Sequence, residues 1–291
     1  MPKLGDYRFV LDTVTFIYRT EEQANAGIKA GGTGFFVAVP SEYAPDAFHQ
    51  IYVVTNVHVS KGERRVLRIN TRAGGIDLVT VDEWIYKEDG PDVALAPVDL
   101  NPPLHMVEAL RFDSWFLTRD EHVNLEIESG EDVFMAGRFV DYDGVQTNRP
   151  SLRFGNISMI EAEIKQITGY MGPSVVLDMH SRSGYSGSPV FIYRTGGSIF
   201  AKEEIIIGGG HLMKLLGIHW GQFPELWELS DGGGKGKQQD EEDSELLIKE
   251  GRYIKGLSGM TCVIPAWDIY ELLFDYRLVE HRAEVERQLQ K

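Results

Sequence analysis

Cysteine is nearly absent from this chain of 291 residues, because Cys262 is the only one. A single cysteine excludes an internal disulfide, and its apolar neighbours predict a small buried side chain. A chain without disulfides is typical of a reducing compartment. The first 20 residues also lack the charged, apolar and small-residue pattern of a secretory signal. We therefore expect a cytoplasmic location, although a mature secreted form that had gained a new Met1 would read the same way.

Basic residues are scarce as well. Lys and Arg number 29 against 44 Asp and Glu, which gives a formal net charge of −15. A field of this sign repels nucleic acid and anionic membrane surfaces. No stretch approaches the ~20 apolar residues that a membrane-spanning helix requires. The sequence therefore predicts neither a nucleic-acid partner nor a membrane partner.

Short strand-like segments make up most of what is present. Each is rich in β-branched or aromatic residues and is bounded by Gly, Pro, Asp or Asn. They lie at 10–18, 34–39, 51–55, 66–70, 92–97, 132–139, 152–160, 174–177, 189–193, 204–207, 215–220 and 260–264. This spacing indicates a sandwich or barrels rather than βαβ units.

Two stretches differ from this pattern. Residues 230–245 (SDGGGKGKQQDEEDSE) are glycine-rich and then charged, which predicts a solvated, flexible loop. Residues 266–290 have apolar residues at helical spacing, which predicts a C-terminal helix packed on the β-sheet body. Residues 208–214 (GGGHLMK) have the glycines of a phosphate loop but lack its Gly-Lys-Ser/Thr ending, so a hairpin turn is the better interpretation.

The chemistry centres on residues 184–189 (GYSGSP), which place Ser186 in a glycine-rich turn before a strand. A serine hydroxyl needs a base within hydrogen-bond reach, and the apolar segment at 53–59 supplies His58 on a predicted strand. A buried carboxylate must fix the imidazole tautomer, and Asp92 leads the next apolar strand. The backbone amides of Gly184 and Ser186 are candidate oxyanion donors, because glycine permits close backbone approach.

Three motifs resemble those of the chymotrypsin-like (trypsin-like) serine proteases. Residues 184–189 resemble the family's Gly-Asp-Ser-Gly-Gly-Pro, residues 55–58 (TNVH) its Thr-Ala-Ala-His and residues 92–95 (DVAL) its Asp-Ile-Ala-Leu. The order His, Asp, Ser is that family's order, whereas α/β-hydrolases run Ser, Asp, His and subtilisins run Asp, His, Ser.

The resemblance implies an all-β protein with a chymotrypsin-like double β-barrel and a C-terminal α-helix. Residues 1–110 would form the first barrel with His58 and Asp92. Residues 111–265 would form the second barrel, with Ser186 and the flexible loop at 230–245, and residues 266–291 the helix.

Residues 32–37 (GTGFFV) resemble the Gly-Ser-Gly-Phe strand that precedes the histidine in bacterial members of the family. Residues 186–190 and 217–221 (GIHWG) look most like the glutamyl endopeptidase branch. This resemblance places His219 in the wall of the specificity pocket and His180 with Ser181 at its base, and implies cleavage after Glu or Asp. Buried, hydrogen-bonded core histidines are the alternative. A zinc site at His58, His180 and His219 lacks any local ligand spacing.

Tyr185 departs from the pancreatic members of the family, which have Asp there to pair with a new N-terminus after zymogen cleavage. Tyrosine cannot form that ion pair, so we expect activity without removal of an N-terminal segment.

The sequence therefore predicts a serine endopeptidase that acts on proteins or peptides through an acyl-enzyme on Ser186, with no cofactor and no metal. The acidic run at 240–243 leaves room for a regulatory partner. Two alternatives remain open: a regulatory peptide-binding module with little turnover, and an esterase that uses the same triad.

Overall fold

The computed structural model describes residues 8–139, 144, 146–181, 184–195, 198, 200, 212–229 and 252–290. The predicted strand at 204–207, most of the predicted hairpin turn at 208–214 and the predicted loop at 230–245 lie outside these residues. The described strands are β1 (Val14–Tyr18), β2 (Gly32–Pro40), β3 (His49–Thr55), β4 (Val66–Thr71), β5 (Gly75–Thr80), β6 (Ala94–Pro97), β7 (Leu110–Arg111), β8 (Asp132–Gly137), β9 (Ser151–Lys165), β10 (Met171–Asp178), β11 (Pro189–Arg194), β12 (Leu212–Leu229) and β13 (Arg252–Pro265).

The helices are short, apart from the last. They are α1 (Arg8–Asp12), α2 (Glu21–Ala26), α3 (Val57–Ser60), α4 (Phe112–Trp115), α5 (Arg119–Asn124), α6 (Ala266–Leu273) and α7 (Tyr276–Leu289). Helix α1 occupies part of the strand predicted from residue 10. The Thr13 hydroxyl donates to Val10 O (2.7 Å) at the end of that helix, so the strand begins only at Val14.

The first sheet has seven strands in the order β5-β4-β1-β2-β3-β6, with β7 paired to β2. Strand β2 is central, and its residues are buried over almost their whole length because both faces of the strand are covered. Its apolar side chains therefore read as a continuous run rather than as an alternation. Phe36, Val53 and Leu67 are among the buried residues that fill this half of the molecule.

The second sheet is a closed barrel in the order β10-β13-β12-β11-β8-β9. Closure leaves no unpaired edge among these strands. Its interior contains Val133, Leu177, Val190 and Val263, whereas a larger buried cluster extends from Phe16 in β1 through both halves of the molecule. The two halves thus share one apolar interface.

The C-terminal segment is two helices rather than the single predicted one. The break lies at Phe274 and Asp275, and the Asp275 side chain accepts a hydrogen bond from Arg277 N (3.0 Å) to start α7. Helix α7 lies on the first sheet, where Glu286 Oε2 accepts from the Ser41 hydroxyl (2.8 Å). No helix in the described part of the chain is long and apolar enough to cross a membrane.

Candidate active site

His58 is held by a helical turn rather than by the predicted strand. Strand β3 ends at Thr55, and His58 is the second residue of α3. Asn56 stands at the N-cap of α3, but its side chain makes no capping bond, because its Nδ2 donates to Asp92 O (2.8 Å). The turn lifts the imidazole off the sheet, and its side chain is 24% exposed.

Asp92 is fully buried, and both of its carboxylate oxygens bind His58. The Nδ1–H of His58 donates to Oδ2 (2.5 Å), and the backbone N–H of His58 donates to Oδ1 (3.0 Å). This arrangement fixes the proton on Nδ1 and leaves Nε2 as the basic nitrogen. The predicted His–Asp pair is therefore in direct contact. The Asp92 amide donates to Gln166 Oε1 (2.7 Å), which comes from the second sheet.

Ser186 stands at the tip of a tight turn. Ser188 N donates to Tyr185 O (2.9 Å), and Gly187 has φ +88°, as the third residue of a type II turn requires. A Cβ at Gly187 would lie 1.9 Å from Thr33 O, so only glycine fits. The turn presents the serine side chain where the two sheets meet.

Thr33 of β2 binds the chain on both sides of Tyr185. Its backbone N–H donates to Ser186 O (2.8 Å), and its hydroxyl donates to Gly184 O (2.7 Å). The same hydroxyl accepts from Arg138 N (3.1 Å). A residue of the first sheet thus fixes the backbone of the serine loop, which belongs to the second.

The predicted oxyanion donors have no competing acceptor among the described residues. Neither the Gly184 nor the Ser186 amide donates to any of them. Gly184 has φ +97°, a conformation that side chains other than hydrogen rarely allow. Within the described part of the chain, both N–H groups are therefore available to an oxygen anion.

The structure brings Ser186 near His58 without a hydrogen bond between them in the described residues. A Cβ at Gly32 would lie 2.8 Å from the side chain of Val59, the residue after His58, and 2.9 Å from Ser186 O. Ser186 and Val59, the residue after His58, thus flank the same glycine. Serine–histidine hydrogen bonds are often long in unliganded proteases and shorten when substrate binds.

Tyr185 is buried, and its hydroxyl is fully engaged. It hydrogen-bonds the Ser151 hydroxyl and accepts from Arg153 Nε (3.2 Å), while the Arg153 guanidinium lies 5.5 Å from the centre of its ring. The residue before Ser186 is thus anchored to β9 and needs no ionic partner.

The three predicted pocket residues differ in their surroundings. His180 is exposed, with its ring beside Gly259. Ser181 is buried, and Gln222 Nε2 donates to its hydroxyl oxygen (2.7 Å). His219 is 2% exposed, and its Nδ1–H donates to Cys262 O (3.2 Å).

Burial, with a smaller contribution from the neighbouring His58, lowers the pKa of His219 to about 4 against the opposing effect of the hydrogen bond to Cys262 O. His219 is therefore neutral near pH 7. Because its proton lies on Nδ1, its Nε2 is an acceptor and has no proton to offer a substrate carboxylate. Within the described residues, no group of three or more His, Cys, Asp and Glu side chains is arranged to hold a metal ion.

Sequence reasoning missed the residues that join the two halves of the site. Thr33 lies in the segment 32–37, which resembles a strand of bacterial members, but that resemblance gives Thr33 no role in the site. Gln166 lies outside every motif, and Asn56 lies within 55–58 (TNVH), where the resemblance gives it no role. A contact between residues 74 positions apart, such as Gln166 with Asp92, leaves no local signal in a single sequence.

No protein-family model and no curated protein matches the chain. Among solved structures, it is similar to the apo MamO protease domain from Magnetospirillum magneticum, with a TM-score of 0.52 and 15% identity over 92% of this chain and 100% of that one. The HtrA-type protease AlgW with a decapeptide gives 0.47 and 16% identity over 87% and 53%. The active form of the Rv3671c protease from M. tuberculosis gives 0.47 and 18% over 91% and 80%.

The MamO protease domain is not named a glutamyl endopeptidase, so the resemblance to that branch stays a prediction. The likeness to the MamO domain covers both sheets, and the topology described above agrees with it. The chain has the trypsin-like double β-barrel protease fold.

Proposed function

We propose that this protein is a serine endopeptidase with Ser186 as nucleophile, His58 as general base and Asp92 as the orienting carboxylate. The observation that carries the proposal is the double contact of the buried Asp92 carboxylate with the ring and backbone of His58. A surface histidine has no need of a fully buried anion, whereas a general base needs one to hold its tautomer.

The proposed reaction follows from these positions. His58 Nε2 takes the proton of Ser186 as its oxygen attacks the peptide carbonyl, and the oxyanion meets the amides of Gly184 and Ser186. The imidazolium then protonates the leaving amine, which departs and leaves an ester on Ser186. Water hydrolyses this ester by the same proton transfers in reverse order.

The test is labelling with an aminoalkyl or diphenyl phosphonate probe, which bonds covalently only to an activated serine. We expect one label per chain, on Ser186, and no label on Ser186→Ala. Protein and peptide hydrolysis should disappear together with labelling in Ser186→Ala. A fully folded parent chain that takes up no label and cleaves no peptide would disprove the proposal.

A regulatory peptide-binding module is the second candidate, and one observation favours it. Ser186 makes no hydrogen bond to His58 in the described residues. A cleft that binds a peptide without cleaving it does not need this bond. Such a module would bind peptide in the cleft and take up no phosphonate. An esterase would take up the label, cleave esters and leave peptide bonds intact.

The narrower part of the proposal is a preference for Glu or Asp before the scissile bond. Its support is His180, which is exposed, and Ser181, whose hydroxyl proton stays free because Gln222 donates to the oxygen. An acidic side chain must exchange its water shell for such donors. A peptide library scored by the residue before the cut tests this preference.

A further inference from the structure

The least expected contact at the site comes from the tip of a hairpin on the other sheet. Gln166 follows β9 directly and lies in the turn that leads to β10. That turn is closed by two backbone bonds, from Gln166 N to Tyr170 O (2.8 Å) and from Gly169 N to Gln166 O (2.9 Å). The Gln166 side chain is 3% exposed, although residues on the same turn such as Ile167 face solvent. It therefore points away from its own turn, into the junction of the two sheets.

Its target is the backbone of Asp92. This residue precedes β6 and lies outside the strand ladder, so its N–H has no strand partner. Gln166 Oε1 accepts that N–H at 2.7 Å, while Asn56 Nδ2 donates to the Asp92 carbonyl at 2.8 Å. The two amide side chains together hold the backbone N–H and C=O of Asp92.

The nitrogen of the Gln166 side-chain amide gains no hydrogen bond from its burial. Its Nε2 is buried with no hydrogen-bond partner among the described residues. A buried, unpaired amide nitrogen is unfavourable for stability, and an apolar side chain of the same size would avoid it. Glutamine differs from such an apolar side chain in that it provides an acceptor for the Asp92 N–H.

We propose that Gln166 is a positioning residue for the reaction, which holds the Asp92 carboxylate in line with His58 from the opposite sheet. This inference rests on the proposed function. Functional side chains must be held within about 0.5 Å of their productive geometry, and the Asp92 carboxylate is fixed by its own backbone. Without the acceptor, the Asp92 peptide turns toward another partner and carries the carboxylate with it.

The experiment compares Gln166→Met with Gln50→Met. Both glutamines are more than nine-tenths buried, and each has one amide atom without a partner, but Gln50 donates to Arg282 O far from the triad. Methionine keeps the size and removes the acceptor. We expect Gln166→Met to lower kcat about 10- to 100-fold with KM unchanged, as small misplacements of functional groups do. Gln50→Met should keep the parental kcat.

A second measurement does not require turnover. The His58 Nδ1 proton bound to Asp92 gives a low-field proton NMR signal, which we expect to shift or broaden in Gln166→Met and to stay unchanged in Gln50→Met. If Gln166→Met fails to fold, Gln166→Asn replaces it, because its shorter amide cannot reach Asp92.

Parental kcat together with an unchanged signal in the Gln166 variant would overturn the inference. So would a rise in KM alone, or an equal loss of kcat in Gln50→Met. A parent chain with neither turnover nor phosphonate labelling would instead remove the proposed function, and the NMR comparison would still decide whether Gln166 sets the His58–Asp92 geometry.

Discussion

Thr33 and Ser186 are joined across the junction of the two sheets by a hydrogen bond from the Thr33 amide to the Ser186 carbonyl (2.8 Å). The Thr33 hydroxyl extends this contact to Gly184 O (2.7 Å). One residue of the first sheet therefore restrains, through its backbone amide and its hydroxyl, both residues whose amides are proposed to bind the oxyanion.

Removing the Thr33 hydroxyl is expected to weaken catalysis more than stability. Thr33→Val keeps the shape and the backbone bond to Ser186 but frees the Gly184 carbonyl, so we expect kcat to fall about 10-fold or more, as for a weakened oxyanion site. Thr15→Val is the control, because Thr15 is equally buried and its hydroxyl binds Arg68 O (2.9 Å). Each substitution should cost about 1–3 kcal/mol in unfolding free energy. Equal kcat in the two variants would contradict this role.

Asp92→Asn is expected to preserve the shape of the site and to lower kcat by about 10⁴, because an amide favours the wrong imidazole tautomer. Steady-state kinetics on a cleaved peptide measure the loss. Asp99→Asn serves as control, since Asp99 is exposed beyond β6 and should be replaceable without effect. A dead Asp99→Asn beside a near-normal Asp92→Asn would move the third triad role to Asp99.

Asp268 in α6 is expected to make stability depend on pH. Burial, and then the negative charge of Glu271, raise the pKa of Asp268 to about 6, and its Oδ2 has no hydrogen-bond partner among the described residues. The folded state therefore holds this proton more tightly than the unfolded state. The resulting penalty is complete above about pH 6 and disappears as the pH falls below the unfolded value near 4.

Asp268→Asn should accordingly raise the free energy of unfolding by up to about 3 kcal/mol near pH 8, from a difference of about two pKa units. Near pH 3, about one unit below the unfolded pKa, the variant and the parent should be equally stable. Denaturant titrations at both pH values provide the measurement. A gain of the same size at both would show that the substitution acts through packing rather than through charge.

The acidic preference is expected to depend on His180 rather than on His219. His180→Ala should lower the ratio of kcat/KM for Glu over Gln about 10- to 100-fold, the contribution of one hydrogen bond to a charged group. His219→Gln should leave that ratio close to parental, because His219 is neutral and its proton is bound to Cys262 O. Preference for Lys, Arg or large aromatics before the cut would end the proposal.

The fold class followed from the sequence because short strands, turn residues and three motifs agreed with one another. The His58–Asp92 contact was foreseen for the same reason, since each residue stands beside an apolar strand of recognisable pattern. The predicted local geometry around His58 was wrong: its apolar neighbours favoured a strand, whereas β3 ends at Thr55 and a helical turn begins after Asn56.

Burial was the other property that the sequence could not give. The resemblance placed both His180 and His219 in the specificity pocket. His180 is exposed, whereas His219 is buried and has a lowered pKa. The difference depends on β13, whose Cys262 carbonyl receives the His219 proton from 43 positions away. No local pattern encodes such a neighbour.

The side-chain contacts between the two sheets also have a consequence for the newly synthesised protein. Gln166 contacts Asp92 from the β9–β10 hairpin, and β10 gains its second neighbouring strand only when β13 pairs with it. At typical synthesis rates, about 10–30 s separate the emergence of Asp92 from that of β13. Under the proposed function, a nascent chain that already carries His58 and Asp92 is expected to gain activity only after the second barrel has closed.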